Sequence, residues 1–131
     1  MGKDTPYRDD TAHCAAAINC WLYETGYKNI NSLSARDIWH RGHEIGIVFS
    51  KPKKELTKKL IVVLAYNDST WRGHVCILED WRLINGVGYI TGFGANQGTV
   101  NNPQGEVCSK TYRVGKNEKY SILGFVLPEK K

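Results

Sequence analysis

Asp9-Asp10-Thr11-Ala12-His13-Cys14-Ala15-Ala16-Ala17-Ile18-Asn19-Cys20-Trp21-Leu22-Tyr23-Glu24-Thr25-Gly26 has the pattern of a helix of about four turns. Asp10 or Thr11 can cap its free amides, the alanine run favours helix, and Gly26 supplies a left-handed stop. Ile18, Trp21, Leu22 and Thr25 follow Cys14 at helical spacing, so one stripe can pack on a sheet. The pattern predicts Cys14 in the first turn, where unpaired amides and the macrodipole favour the thiolate. A thiolate is a nucleophile; a small buried apolar residue is the competing reading of the same cysteine. Cys20 falls about 9 Å further along the axis and roughly 120° around it, so it cannot share a site with Cys14.

Beyond this helix the pattern changes from helical to extended. Ser34 to Arg41 reads as a short second helix, with serine at the cap, Asp37 three residues on and Gly42 at the end. A short apolar run, Ile45 to Phe49, leads into a basic, proline-bearing connection. Leu60 to Tyr66 is an unbroken apolar run rich in β-branching, the mark of a strand buried on both faces. Asn67 to Thr70 is a turn, Gly73 to Asp80 a second strand, Asn85-Gly86 a turn, and Val87 to Ala95 a third strand. Asn96 to Gly105 reads as a polar loop. Lys110 to Val114 and Ser121 to Leu127 complete about five strands, ended by Pro128. Helices first and strands afterwards predict an α+β domain with an antiparallel sheet, a single unit over 1–131.

The chain has 131 residues, 41% of them hydrophobic and 11% aromatic, which is a globular and not a disordered composition. No apolar run approaches the roughly 20 residues needed to span a bilayer. Met1-Gly2-Lys3-Asp4 carries no signal-peptide core, so synthesis in the cytoplasm is expected unless a leader was removed. A net charge of +5 points to an anionic partner. Its lysines, at 51, 53, 54, 58, 59, 130 and 131 among others, lack the interleaved aromatics of a single-strand binding platform, so no nucleic acid is expected. Ordinary solvated charge is the alternative. Cys14, Cys20, Cys76 and Cys108 are scattered, and no Cys/His spacing suits zinc. His40 and His43 stand three apart, more suggestive of an exposed pair than of a metal site. Free thiols in a reduced compartment are the simplest account.

A nucleophilic cysteine needs a base, and His74 opens a strand that a packed helix can reach. Asn96 is the candidate orienter of that imidazole through its other nitrogen. It shares parity with Gly92 and Gly94, whose missing side chains would let the cysteine helix approach, while Gln97 shares parity with Thr91 and Phe93 on the opposite face. Cys76 shares a strand face with His74 and is expected beneath the helix. Tyr7, upstream of the nucleophile, is a candidate oxyanion donor, and the Cys14 amide another. His13, Trp71, Arg72 and Gln97 are candidate substrate contacts, with packing as the competing role for the aromatics.

These residues resemble papain-fold peptidoglycan hydrolases of the NlpC and CHAP kind. Cys14-Ala15-Ala16-Ala17-Ile18-Asn19-Cys20-Trp21 is similar to the nucleophile helix of that group, "Cys-Ala-Ala-Phe-Val-Asn-Trp". Ser34-Ala35-Arg36-Asp37-Ile38-Trp39 matches a segment with "Ala-Arg-Ser-Trp", and Gly73-His74-Val75 matches the "Gly-His-Val" strand opening. Gly94-Ala95-Asn96-Gln97 resembles "Gly-Gly-Asn-Gln", and Ile122 to Pro128 the closing strand. His13 replaces a tryptophan, Ala95 a glycine, and Lys58-Lys59 the usual Gly-Asp.

The resemblance implies a papain-like α+β fold and a cysteine peptidase or amidase cutting an amide bond of bacterial peptidoglycan, in an endolysin or antibacterial effector. It implies Cys14, His74 and Asn96 as the catalytic group, no metal or organic cofactor, and a monomer held to an anionic wall polymer after release or delivery from the cytoplasm. The alternatives are an inactive wall-binding or scaffold module of the same fold, or an enzyme on another acyl substrate.

Overall fold

The computed structural model describes residues 10–30, 34–97 and 106–131, and the side chains of 14–30, 34–95 and 107–131. Helix α1 (Asp10–Glu24) is followed by the short helices α2 (Ala35–His40) and α3 (Gly42–Ile45). The strands are β1 (Gly46–Phe49), β2 (Ile61–Tyr66), β3 (Gly73–Ile84), β4 (Val87–Gln97), β5 (Glu106–Val114) and β6 (Tyr120–Pro128), with a single 3-10 turn at Lys54–Leu56 between β1 and β2. They form one six-stranded sheet in the order β1-β6-β2-β3-β4-β5, so the fold class is α+β. The neighbours are antiparallel, and the sheet curls until β5 returns to β6 in one parallel pair, Val114 with Tyr120.

Local chemistry explains the element ends. Gly26 adopts φ +81°, and behind it Tyr27 N–H donates to the Leu22 carbonyl at 2.8 Å while Gly26 N–H donates to Tyr23 at 3.2 Å. That pair of bonds closes α1 in a Schellman turn. Ser34 caps α2 by accepting from the Asp37 amide. Asn85 and Gly86, at φ +52° and +81°, make the two-residue turn between β3 and β4.

Gly42 differs from expectation. It is not a left-handed stop but the first residue of α3, and a Cβ there would sit 2.7 Å from Val48 Cγ1. Its missing side chain admits β1, a strand too short to stand out in the sequence. Strand β4 also runs on through Asn96 and Gln97, where a polar loop was expected; residues 98–105 of that loop lie outside the described residues.

Every residue of β2 is buried, and the sheet therefore has an apolar layer on each side. On one side Ile61, Val63, Val75 and Val126 meet Cys14, Ala15, Ile18 and Leu22 of α1 and Ile38 of α2. On the other, inside the curl, Val62, Leu64, Cys76, Leu78, Ile90, Tyr112, Val114 and Phe125 pack together. Full burial of each large aliphatic side chain contributes about 1.5–3 kcal/mol. A bulge where Val63 pairs with Gly124 and Leu64 with Ile122 lets β6 serve both layers, Leu123 and Val126 outward, Ile122 and Phe125 inward.

Cys76 lies in the inner layer and not beneath the helix. A Cβ on Gly92 would overlap its sulfur, so the glycine makes room for the thiol. The helix instead covers the opposite face of β4, where Trp21 stacks on Phe93 at 5.8 Å between ring centroids. Gly92→Ala should therefore cost about 1–3 kcal/mol in urea unfolding. Adding Cys76→Ala should recover most of the loss, a coupling that a double-mutant cycle reads directly.

Candidate active site

Cys14 is the fifth residue of α1, one turn inside it and not in the first turn. In a helix starting at Asp10 its amide has the Asp10 carbonyl as its i−4 acceptor, which removes it from the donors an oxyanion could use. Its side chain is fully buried against Val75 of β3. His74 begins β3 and points into the curl, 2% exposed, the only buried polar residue among the described residues. There the Tyr112 hydroxyl and His74 Nε2 share a hydrogen bond of 3.0 Å, with the rings at 5.2 Å. Tyr120 meets Tyr112 edge-on at 5.1 Å and Tyr66 at 4.8 Å, extending an aromatic cluster along the barrel interior.

Burial pushes the Cys76 thiol well above its ordinary value, and a negative charge on Cys14 would push it further. The Tyr112 hydroxyl is raised for the same reasons, burial first, then Cys76, Tyr120, Cys14 and Tyr66. Neither group supplies an anion near neutral pH. A charge on Cys14 would bear on both groups, although Cys14 packs in the helix-side layer with Val75 while Tyr112 and His74 lie in the inner one. Tyr112, the residue that holds His74, is one that sequence reasoning missed. Its signal was parity alone: Cys108, Lys110, Tyr112 and Val114 are alternate residues of β5, and Tyr112 and Val114 pack inside.

The turn that delivers His74 is tied down by a second overlooked residue, Arg36 of α2. Its Nε donates to the Arg72 carbonyl at 3.0 Å, and its Nη2 donates to Ser69 at 2.7 Å and to Tyr66 at 3.4 Å. Gly73 permits the approach: a Cβ there would lie 2.6 Å from the Leu64 carbonyl oxygen and 3.4 Å from Arg36 Cγ.

The other candidates divide. Trp71 is 61% exposed on that turn. Arg72 lies over the Tyr66 ring at 4.4 Å and packs there, its Nε buried without a protein partner. Tyr7 lies outside the described residues, as do the side chains of His13, Asn96 and Gln97. The β3–β4 pairing runs from Ile84 with Val87 to Ile77 with Phe93 and stops short of His74 and Asn96. The expectation that the Gly92 face admits the helix does not stand, because the helix packs on the Phe93 face, and the β4–β5 register shifts between Gly94 and Gln97.

Comparison with family models, with curated proteins and with solved structures finds no match to this chain.

Two outcomes are expected. Arg36→Ala should lower stability by about 2–4 kcal/mol, since three carbonyls lose a charged donor, and Arg36→Lys should recover only part of it. In urea unfolding followed against pH, a fall in stability should set in as pH approaches about 8.5, the ordinary thiol value. Above that the unfolded thiol and phenol lose protons that Cys76 and Tyr112 retain when folded, so stability should fall as pH rises. Cys76→Ala should make that fall shallower.

Proposed function

We propose that the protein is a papain-like cysteine hydrolase acting on an amide bond of bacterial peptidoglycan, with Cys14 as nucleophile and His74 as base. The observation that carries this is the buried imidazole with Tyr112 at Nε2, next in sequence to Val75, in whose core layer the helix-borne Cys14 packs. With Nε2–H donating to the neutral tyrosine oxygen, Nδ1 is the nitrogen that takes the thiol proton. The thiolate attacks the carbonyl carbon, the tetrahedral intermediate collapses, and the imidazolium protonates the departing amine. Water deprotonated by His74 then releases the acid and restores the thiol. Tyr112 and Asn96 are positioning residues. The ordered resemblance of Cys14, Arg36, His74 and Asn96 to the NlpC and CHAP enzymes supports the same chemistry, and the net charge of +5 suits an anionic wall.

One feature favours a second reading. Cys14 has no exposed surface and His74 almost none, as in a module that binds the wall and has lost catalysis.

Turbidity loss and fragment release from purified sacculi separate the two. Cys14→Ser should abolish release, and Tyr112→Phe should lower kcat about 10- to 100-fold with KM little changed and the acid limb of the pH profile moved. Release by Cys14→Ser at the native rate would sink the mechanism. Sacculus binding by the native protein without any fragment would favour the module.

A further inference from the structure

The C-terminal half of α1 borders a cleft of about 520 Å³, floored by Ile18, Leu22, Ile77 and Leu127 and walled by Trp21. It lies a turn and more beyond Cys14 along the helix, away from the Tyr112–His74 pair. Lys58 and Lys59 stand on its rim, both exposed, and among the described residues its lining holds no carboxylate. Lys130 lies over the ring of Tyr27, another lining residue, at 5.5 Å, while nearby Glu129 is paired with Lys28 at 3.7 Å.

Lys58 carries a second, independent observation. Its φ of +76° is left-handed, a conformation that favours glycine or asparagine, and its amide is pinned to the Leu78 carbonyl at 2.7 Å. Backbone strain of this kind clusters at ligand clamps and other functional sites.

We propose that this cleft is a binding site for a single-chain anionic amphiphile, its acyl chain along Ile18, Leu22 and Ile77 and its anionic head between Lys58 and Lys59. The size suits one chain and lies within the usual range of ligand pockets. A concave site takes a monomer from solution, whereas entry into a bilayer needs protruding apolar side chains. The site is independent of the hydrolase chemistry.

Dodecanoate below its micelle concentration is the probe, titrated by calorimetry into the full chain. Saturable binding at least tenfold tighter than that of dodecanol is expected, with nuclear Overhauser contacts from the chain to the Ile18, Leu22 and Ile77 methyls. Lys58→Asn together with Lys59→Gln should weaken dodecanoate at least tenfold. Lys58→Asn alone should raise the Tm while weakening binding, which separates ligand from fold. Equal affinity for dodecanol, unchanged affinity in the double variant, or chain contacts elsewhere would overturn the site. So would sedimentation with phosphatidylglycerol vesicles in the absence of monomer binding.

Discussion

The burial of β2 on both faces is the constraint on which the rest of the structure depends. A strand of Ile61, Val62, Val63, Leu64, Ala65 and Tyr66 has no polar side chain to offer water, so each face must be covered. Helices α1 and α2 cover one. The other is covered by the sheet itself, which curls until β5 meets β6. From this follow the two layers, the enclosed aromatic cluster, and the place of His74 inside, where an imidazole must have a partner and finds the Tyr112 hydroxyl.

Close approach is the second theme, and small residues set it. Where Gly92 faces Cys76, and where Gly124 faces the ring of Trp39, a methyl group would collide with a neighbour's side chain. Gly88 and Gly92 of β4 thus serve packing within the sheet, against Val114, Trp81 and Cys76, and not the helix. Trp21 finds Phe93 on the other side, and the spacing between α1 and β4 is that of two stacked rings.

Electrostatics inside the curl favours neutral groups. Burial holds Cys76 and Tyr112 protonated, and a charge on Cys76 would raise Tyr112 further, so a charge in this region must be offset by an adjacent counter-charge. Arg36 contributes from outside by holding three carbonyls of the turn that precedes His74, which ties the short helix α2 to the strand start. The lysines at the far end of α1 belong to a different surface, with an apolar floor in place of a polar interior.

The sequence by itself determined the elements and their class. Alanine, serine and Gly26 delimit the helices, Asn85-Gly86 marks a hairpin, and β-branched runs mark the central strands, because each signal is local and short-range. Cys14 and His74 stood out for the same reason, one on a helix and one at a strand start. Tertiary structure alone decided what faces what. The side of β4 on which the helix lies depends on Trp21 meeting Phe93, and the inward turn of Tyr112 depends on how far the sheet curls. The strand β1 and the parallel contact of β5 with β6 depend on pairing with residues some eighty positions away or across a closed sheet. A bulge adds one residue and reverses every later side chain, so parity along β4 could not be carried to Asn96 from the sequence. Local propensity names the pieces, and only the packing of both faces of β2 fixes their arrangement.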